Sequence, residues 1–237
     1  MKARASRRPV TRLLLWFAAL AAAVVLLMHL WLAAWLFWYR THPPLETAFM
    51  AQELSRLQTD NPDYRLRHQW VDYADISIHL KRAVLAAEDT RFTEHGGIDW
   101  DGVRHAFERN RAAGDTVAGG STISQQLARN LFLSGHRSYV RKAREASITL
   151  MLEQMLDKQR ILELYLNVAE WGEGVFGAEA AARHIFGKSA AELSAWEAAD
   201  LAARLPRPRY YDTHGRTDWL RQYGGIIQSR MHQVHIP

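Results

Sequence analysis

Two adjacent acids, Glu88 and Asp89, close an alanine-rich apolar run in this 237-residue chain. They begin the stretch Glu88-Asp89-Thr90-Arg91-Phe92-Thr93-Glu94-His95-Gly96-Gly97-Ile98-Asp99. A helix C-terminus is a poor place for carboxylates, because the aligned backbone dipoles make that end negative. A carboxylate held there against apolar surface has its protonated form favoured, which suits general acid or base work. The bland alternative is that Asp89 and Glu94 pair with Arg91 or Arg82 on the surface. Residue types alone leave both readings open.

A second stretch runs Gly119-Gly120-Ser121-Thr122-Ile123-Ser124-Gln125-Gln126-Leu127-Ala128-Arg129-Asn130. Two glycines lead into a helix start rich in hydroxyls and amides, where free N–H groups and the dipole favour an anion. Thr122, Gln125, Gln126 and Arg129 lie three to four apart and share a face. The alternative is a plain N-cap with a solvated polar face. It is not a P-loop, because no Gly-Lys-Ser/Thr follows at the required spacing. A third stretch, Arg141-Lys142-Ala143-Arg144-Glu145, offers either a surface salt-bridge pair or a cationic clamp on a phosphate with an acid beside it. On spacing alone the salt-bridge pair is the default. The 11 histidines form no H-E-x-x-H pattern, and His232 and His235 read as surface residues. No Ser/His/Asp order or Gly-x-Ser-x-Gly elbow is present. The absence of cysteine excludes disulfides, thiolate metal sites and a Cys nucleophile.

The elements that must position these groups are nearly all helical by periodicity. Helices are expected over 46–57, 77–89 and from a cap at Asp99 to Arg111 with Val103 and Phe107 inward. Others are expected from Ser121 or Thr122 to Leu131, over 137–156 and over 158–168. A Ser189/Glu192 capping box is expected to open one more, running to about Leu205 and ended by Pro206 and Pro208. Residues 64–70 are the only strand candidate, and 112–120 reads as a mobile loop. Ahead of all this, residues 13–39 carry no formal charge. As a helix they span about 40 Å, enough for a hydrocarbon core of about 30 Å. Trp35, Phe37, Trp38 and Tyr39 gather at the far end, as interfacial aromatics do. The run is too long for a signal peptide and has no small-residue cleavage site, so an uncleaved anchor is expected. Lys2, Arg4, Arg7, Arg8 and Arg12 precede it. They hold the whole net charge of +5, leaving 25 basic against 25 acidic residues beyond. A pI near 9.6 is therefore no argument for nucleic acid.

Taken in order, these stretches resemble the family-51 peptidoglycan glycosyltransferases, found alone or as the first domain of bifunctional penicillin-binding proteins. The first is similar to the family's E-D-x-x-F-x-x-H-x-G, the second to G-G-S-T-I-x-Q-Q-x-x-K-N and the third to R-K-x-x-E. A fourth, Lys158-Gln159-Arg160-Ile161-Leu162-Glu163-Leu164-Tyr165-Leu166-Asn167, resembles K-x-x-I-L-E-x-Y-L-N. The likeness continues through Trp171-Gly172 and Phe186-Gly187-Lys188 and covers roughly residues 70 to 212. Arg129 stands where the family usually has Lys, so a planar fork replaces a point charge.

The resemblance implies a mainly α, lysozyme-like two-lobed domain preceded by one transmembrane helix. The organisation it implies is a basic cytoplasmic tail (1–12), an anchor (13–39), a membrane-proximal linker with the first helix (40–69) and the glycosyltransferase domain (70–237). It implies polymerisation of lipid II into β-1,4-linked glycan with release of undecaprenyl diphosphate. No serine acyl-enzyme module follows the domain, so no transpeptidase activity is expected. Glu88 matches the catalytic glutamate and Glu145 the second family glutamate, which orients cations or holds a divalent metal (Mg or Mn) on the diphosphate. No organic cofactor is implied. Substrate or diphosphate binding falls to Asp89, Phe92, His95, Gly120, Ser121, Thr122, Gln125, Gln126, Arg129, Asn130, Arg141 and Lys142. The expected partners are lipid II, the growing glycan, the membrane and proteins of cell division or elongation, and no nucleic acid. The expected location is the bacterial inner membrane, single-pass, with the N-terminus cytoplasmic and the catalytic domain periplasmic. Two competing readings are a hydrolase on the same fold with Glu88 as general acid, and a membrane-tethered scaffold with a vestigial site.

Overall fold

The computed structural model describes residues 8–113, 120–133 and 138–237, which form two compact units meeting at His42 and Pro43. That boundary falls in the stiff His42-Pro43-Pro44 sequence, where proline fixes φ and disfavours a continuing helix. Gly119, Arg137 and the tail cations Lys2, Arg4 and Arg7 lie outside the described residues, as does most of the expected loop at 112–120.

The first unit is a single helix, α1 (Arg8–Tyr39). Its Thr11–Tyr39 portion is long and apolar enough to cross a membrane. Alanine and leucine make it a strong helix former. Aromatic rings one turn apart support its C-terminal end, with Trp35 and Tyr39 at 5.5 Å between centroids.

The second unit is built from short capped helices. They are α2 (Ala48–Asp60), α3 (Ile78–Glu88), α4 (Trp100–Ala113), α5 (Ile123–Phe132), α6 (Tyr139–Met155) and α7 (Lys158–Val168), followed by α8 (Ala178–Phe186), α9 (Ala195–Arg204), α10 (Pro208–His214) and α11 (Asp218–Arg230). Most starts are set by local side-chain chemistry. Thr47, Ser138, Asp157 and Thr217 each accept an N–H from the first turn of α2, α6, α7 and α11, satisfying a donor that has no intrahelical partner. A small sheet contains β1 (Arg67–His68), β2 (Glu170–Gly172) and β3 (Val175–Phe176), in the order β1-β3-β2. β1 pairs parallel to β3, and β2 runs antiparallel to it.

Two helical groups make the core. In one, α3, α9 and α11 pack together through small residues, with Ala83, Ala198, Ala202 and Ala203 fully buried. In the other, α5 is wrapped by α2, α6 and α7, and Leu127, Leu152, Ile161 and Tyr165 fill the interior. Each such large apolar side chain contributes roughly 1.5–3 kcal/mol.

Several expectations change. Phe107 and Val103 do not face inward: Phe107 is 66% exposed, and α4 buries Ala106 instead. Asp99 does cap that helix, accepting the Gly102 N–H at 2.9 Å. In α6 Val140 is exposed, while Ile148 and Leu152 are buried. The Ser189/Glu192 box is real but closes a 3-10 turn, and a second box, Ser194 with Glu197, opens α9. Pro208 starts α10 at its first turn, where a missing N–H costs nothing. The strand candidate shrinks to β1, while β2 and β3 arise from a segment whose period is too short to read. Both are fully buried, so they lack polar alternation.

Candidate active site

The C-terminus of α3 and the N-terminus of α5 are joined by Asp89. Its Oδ2 accepts the N–H of Ile123, the first residue of α5, at 3.0 Å. Its Oδ1 accepts from His95 Nε2 at 2.9 Å. Gly97 donates its N–H to His95 Nδ1 at 3.1 Å, so the ring proton sits on Nε2 and points at Asp89. Asp89 thus leaves the negative end of α3 for the positive end of α5, which relieves the misfit visible in the sequence.

Glu88 has no such escape. Its Oε2 accepts from Gln126 Nε2 at 2.7 Å, and Tyr165 donates its hydroxyl to Gln126 Oε1 at 3.1 Å. The buried Tyr165 therefore sets the amide so that its NH₂ faces Glu88. Burial pushes the Glu88 carboxyl above the ordinary range. The Gln126 hydrogen bond and the Arg129 charge oppose this, and the Asp89 charge adds to it. Burial also pushes the Tyr165 phenol well up, with the Glu88 charge helping, so it is held as a neutral donor.

Glu88 opens into a cleft of about 560 Å³ lined by Ala87, Ser121, Gln126, Arg129, Leu205, Pro206, Trp219 and Tyr223. Arg129 is exposed there and makes no ion pair among the described residues. Ser121 connects the cleft to a cation cluster, because Lys142 Nζ donates to Ser121 Oγ at 3.2 Å. Lys142 also pairs with Glu145 Oε1, and Arg141 Nη1 with Glu145 Oε2 at 3.2 Å. Glu145 is only 2% exposed, so it needs both cations. The Nε of Arg141 is buried with no hydrogen-bond partner among the described residues. Both oxygens of Glu145 are thus engaged by cations, and the described residues hold no group of three metal-ligating side chains.

The loop between Asp89 and Asp99 is held from below. Lys158 Nζ donates to the His95 carbonyl at 2.7 Å, pairs with Glu153 at 2.9 Å and lies 4.4 Å from the centre of the Phe92 ring. Ser124 donates its hydroxyl to the same Glu153 oxygen. Gly97 has φ +95°, and a Cβ there would sit 2.7 Å from Thr149 Cγ2 and 2.8 Å from Glu153 Cγ. Only glycine lets this loop lie on α6.

The sequence profile of the transglycosylase family matches residues 52–232, most of the chain. The chain belongs to the transglycosylase family. It is 54% identical over 226 residues to the biosynthetic peptidoglycan transglycosylase of Herminiimonas arsenicoxydans, covering 95% of this chain and 98% of that protein. It is 55% identical over 218 residues to the protein of that name from Methylobacillus flagellatus, covering 92% and 95%. The Chromobacterium violaceum protein of the same name is 52% identical over 228 residues, covering 96% and 100%.

Within this transglycosylase, the residues singled out from sequence divide by where their polar atoms go. Glu88, Ser121, Gln126 and Arg129 line the cleft, and Arg141, Lys142 and Glu145 gather beside Ser121. Asp89, Phe92 and His95 lie beneath it in the loop's support. Thr122 and Gln125 are spent on the capping box of α5, and Thr122 Oγ1 also donates to the Gly97 carbonyl, so both are buried. Asn130 is buried as well, and a Cβ at Gly120 would sit 3.4 Å from the Val103 Cα of α4. Arg91 pairs with Asp99 and Asp101, not with Asp89 or Glu94. The fourth motif is a clamp. Glu163 accepts the Tyr73 N–H at 2.8 Å, and Asn167 exchanges hydrogen bonds of 2.9 Å with both backbone groups of Val71. Sequence reasoning missed Tyr165, Glu153, Trp219 and Tyr223 as parts of the site. Tyr165 and Lys158 lie in the fourth motif, which was a signal, whereas Trp219 and Tyr223 had none.

Proposed function

We propose that this chain polymerises lipid II, with Glu88 as the base that activates the acceptor. The 4-hydroxyl oxygen of an acceptor GlcNAc attacks C1 of the MurNAc at the end of the growing chain. The C1–O bond to the diphosphate breaks, and inversion turns the α-linkage into a β-1,4 bond. The hydroxyl proton passes to Glu88, whose raised pKa makes it a stronger base than an ordinary carboxylate while Gln126 holds its other oxygen. Undecaprenyl diphosphate leaves with its bridging electrons. Charge grows on that oxygen, so cations fixed beside it stabilise the transition state more than the ground state.

The observation that carries this reading is the cation cluster next to the carboxylate. Among the described residues Arg129 makes no ion pair in the cleft, Lys142 reaches Ser121 on its rim, and the buried Nε of Arg141 has no hydrogen-bond partner. A diphosphate supplies the acceptor oxygens these groups lack, whereas a sugar-only hydrolase substrate needs none of them. No step is routed through a metal. The apolar helix α1 supports a membrane-anchored enzyme, and the five cations ahead of residue 13 support a cytoplasmic N-terminus with the catalytic unit outside. Tethering confines enzyme and lipid substrate to one surface. The test is incubation of the detergent-purified chain with lipid II and gel analysis of the products. A ladder of lengthening glycan is expected. Recovery of unreacted lipid II, or shortening of added glycan, would refute the reading.

A further inference from the structure

Beside its polar groups the cleft is lined by aromatic rings, which the chemistry above leaves unused. Trp219 is 47% exposed, and with Tyr223 it faces the space that Glu88, Gln126 and Arg129 line. The two rings are part of an ordered stack: Trp219 lies nearly parallel to the buried Tyr211 (7°, 5.7 Å), and Tyr223 sits 4.9 Å from Trp219. Tyr223 donates its hydroxyl to the carbonyl of Ala87 at 3.3 Å, which ties this wall to the residue preceding Glu88. α11, which carries both rings, packs on α3 and α9, so the wall is as rigid as the helix end that holds the carboxylate.

A pyranose has two kinds of surface: a rim of hydroxyls that need hydrogen-bond partners, and C–H faces that are apolar. A cleft that offers carboxylate and amide together with aromatic ring surface matches both. The position also selects which sugar. Ser121 and Lys142 mark the leaving-group side, whereas Tyr223 adjoins Ala87 and hence the base. The group that meets the base is the acceptor hydroxyl. We infer that Trp219, backed by Tyr223, is the platform on which the acceptor GlcNAc rests. This rests on the glycosyltransferase reading and adds to it a specificity-determining surface.

The experiment uses the full chain in detergent, with preformed lipid-linked glycan as donor and lipid II as acceptor, each varied while the other saturates. Trp219→Ala is expected to raise KM for lipid II roughly 3- to 10-fold, the size of an aromatic contact, with kcat and the donor KM unchanged. Trp219→Phe keeps a ring and recovers most of the loss. Trp219→Met keeps apolar volume without a ring, and its raised KM carries the test if Trp219→Ala melts early. An unchanged KM for lipid II in both ring-less variants overturns the inference. So does a rise in the donor KM, or a fall in kcat alone. Wild-type protein that fails to extend the donor overturns the glycosyltransferase reading itself.

Discussion

Tyr165→Phe removes one oxygen, far from solvent, and its effect follows from the relay Tyr165–Gln126–Glu88. The hydroxyl is the donor that holds Gln126 Oε1 away from the carboxylate, 3.1 Å from the phenol oxygen. Without it the amide carbonyl loses a buried partner, at a cost of about 1–3 kcal/mol, offset in part because Phe has no hydroxyl to desolvate. A net loss of about 1–2 kcal/mol lowers the melting temperature by roughly 2–8 °C for a folded unit of this size. The catalytic effect has a distinct signature. Gln126 is now free to turn, and its donation to Glu88 Oε2, 2.7 Å in the intact relay, weakens. A donor to a carboxylate favours the ionised form, so its loss moves the Glu88 pKa further in the direction that burial already takes it. The acid limb of the pH–rate profile therefore shifts to higher pH. The variant is slow on the acid side and approaches wild type where Glu88 is fully ionised. Initial rates on lipid II across pH, with thermal melts alongside, check this. A profile lowered equally at every pH would refute the relay and leave Tyr165 as a packing residue.

Glu88→Gln is expected to reduce turnover of lipid II by about 10²–10⁴-fold, as for loss of a general base. The same variant should melt higher than wild type near neutral pH. A carboxyl with a raised folded pKa adds stability only while protonated, below the ordinary glutamate range, and loses it as pH rises through the folded value, so the ionised group costs the fold. The difference in melting temperature between the two proteins should vanish on acidification. Lys142→Ala should slow single-turnover polymerisation roughly 30- to 1,000-fold through the lost contact to departing charge; rates unchanged with a slightly lower melting temperature would make the cluster structural. Asp89→Asn turns an acceptor of two N–H groups into a side chain that presents its own donor to one of them, and should destabilise by about 3–5 kcal/mol in urea titrations. Gly97→Ala should lower both stability and activity, because its Cβ would overlap Thr149 and Glu153 at a positive φ.

Much of this molecule is written locally. Thr122 and Gln125 announce the start of α5, and Asp157 that of α7, because a cap needs only its own first turn. The apolar run that becomes α1 needs only composition and length. Glu88 is suspect from its place at the end of an apolar helix. What residue types and spacing could not say, without the family resemblance, is which of two neighbouring acids faces the cleft. Both are carboxylates, and residues i and i+1 simply point to different sides of the helix end. Asp89 turns inward only because α5 brings its N-terminus there, and Glu88 faces the cleft only because α11 supplies its aromatic lining. Phe107 breaks the same way: its helical spacing is correct, but the face it marks is exposed. Periodicity reports how a segment coils, since that depends on nearest neighbours along the chain. Which face becomes the inside depends on elements a hundred residues away. Trp219 comes to Glu88 in this way, and only the packing of α3, α9 and α11 decides it.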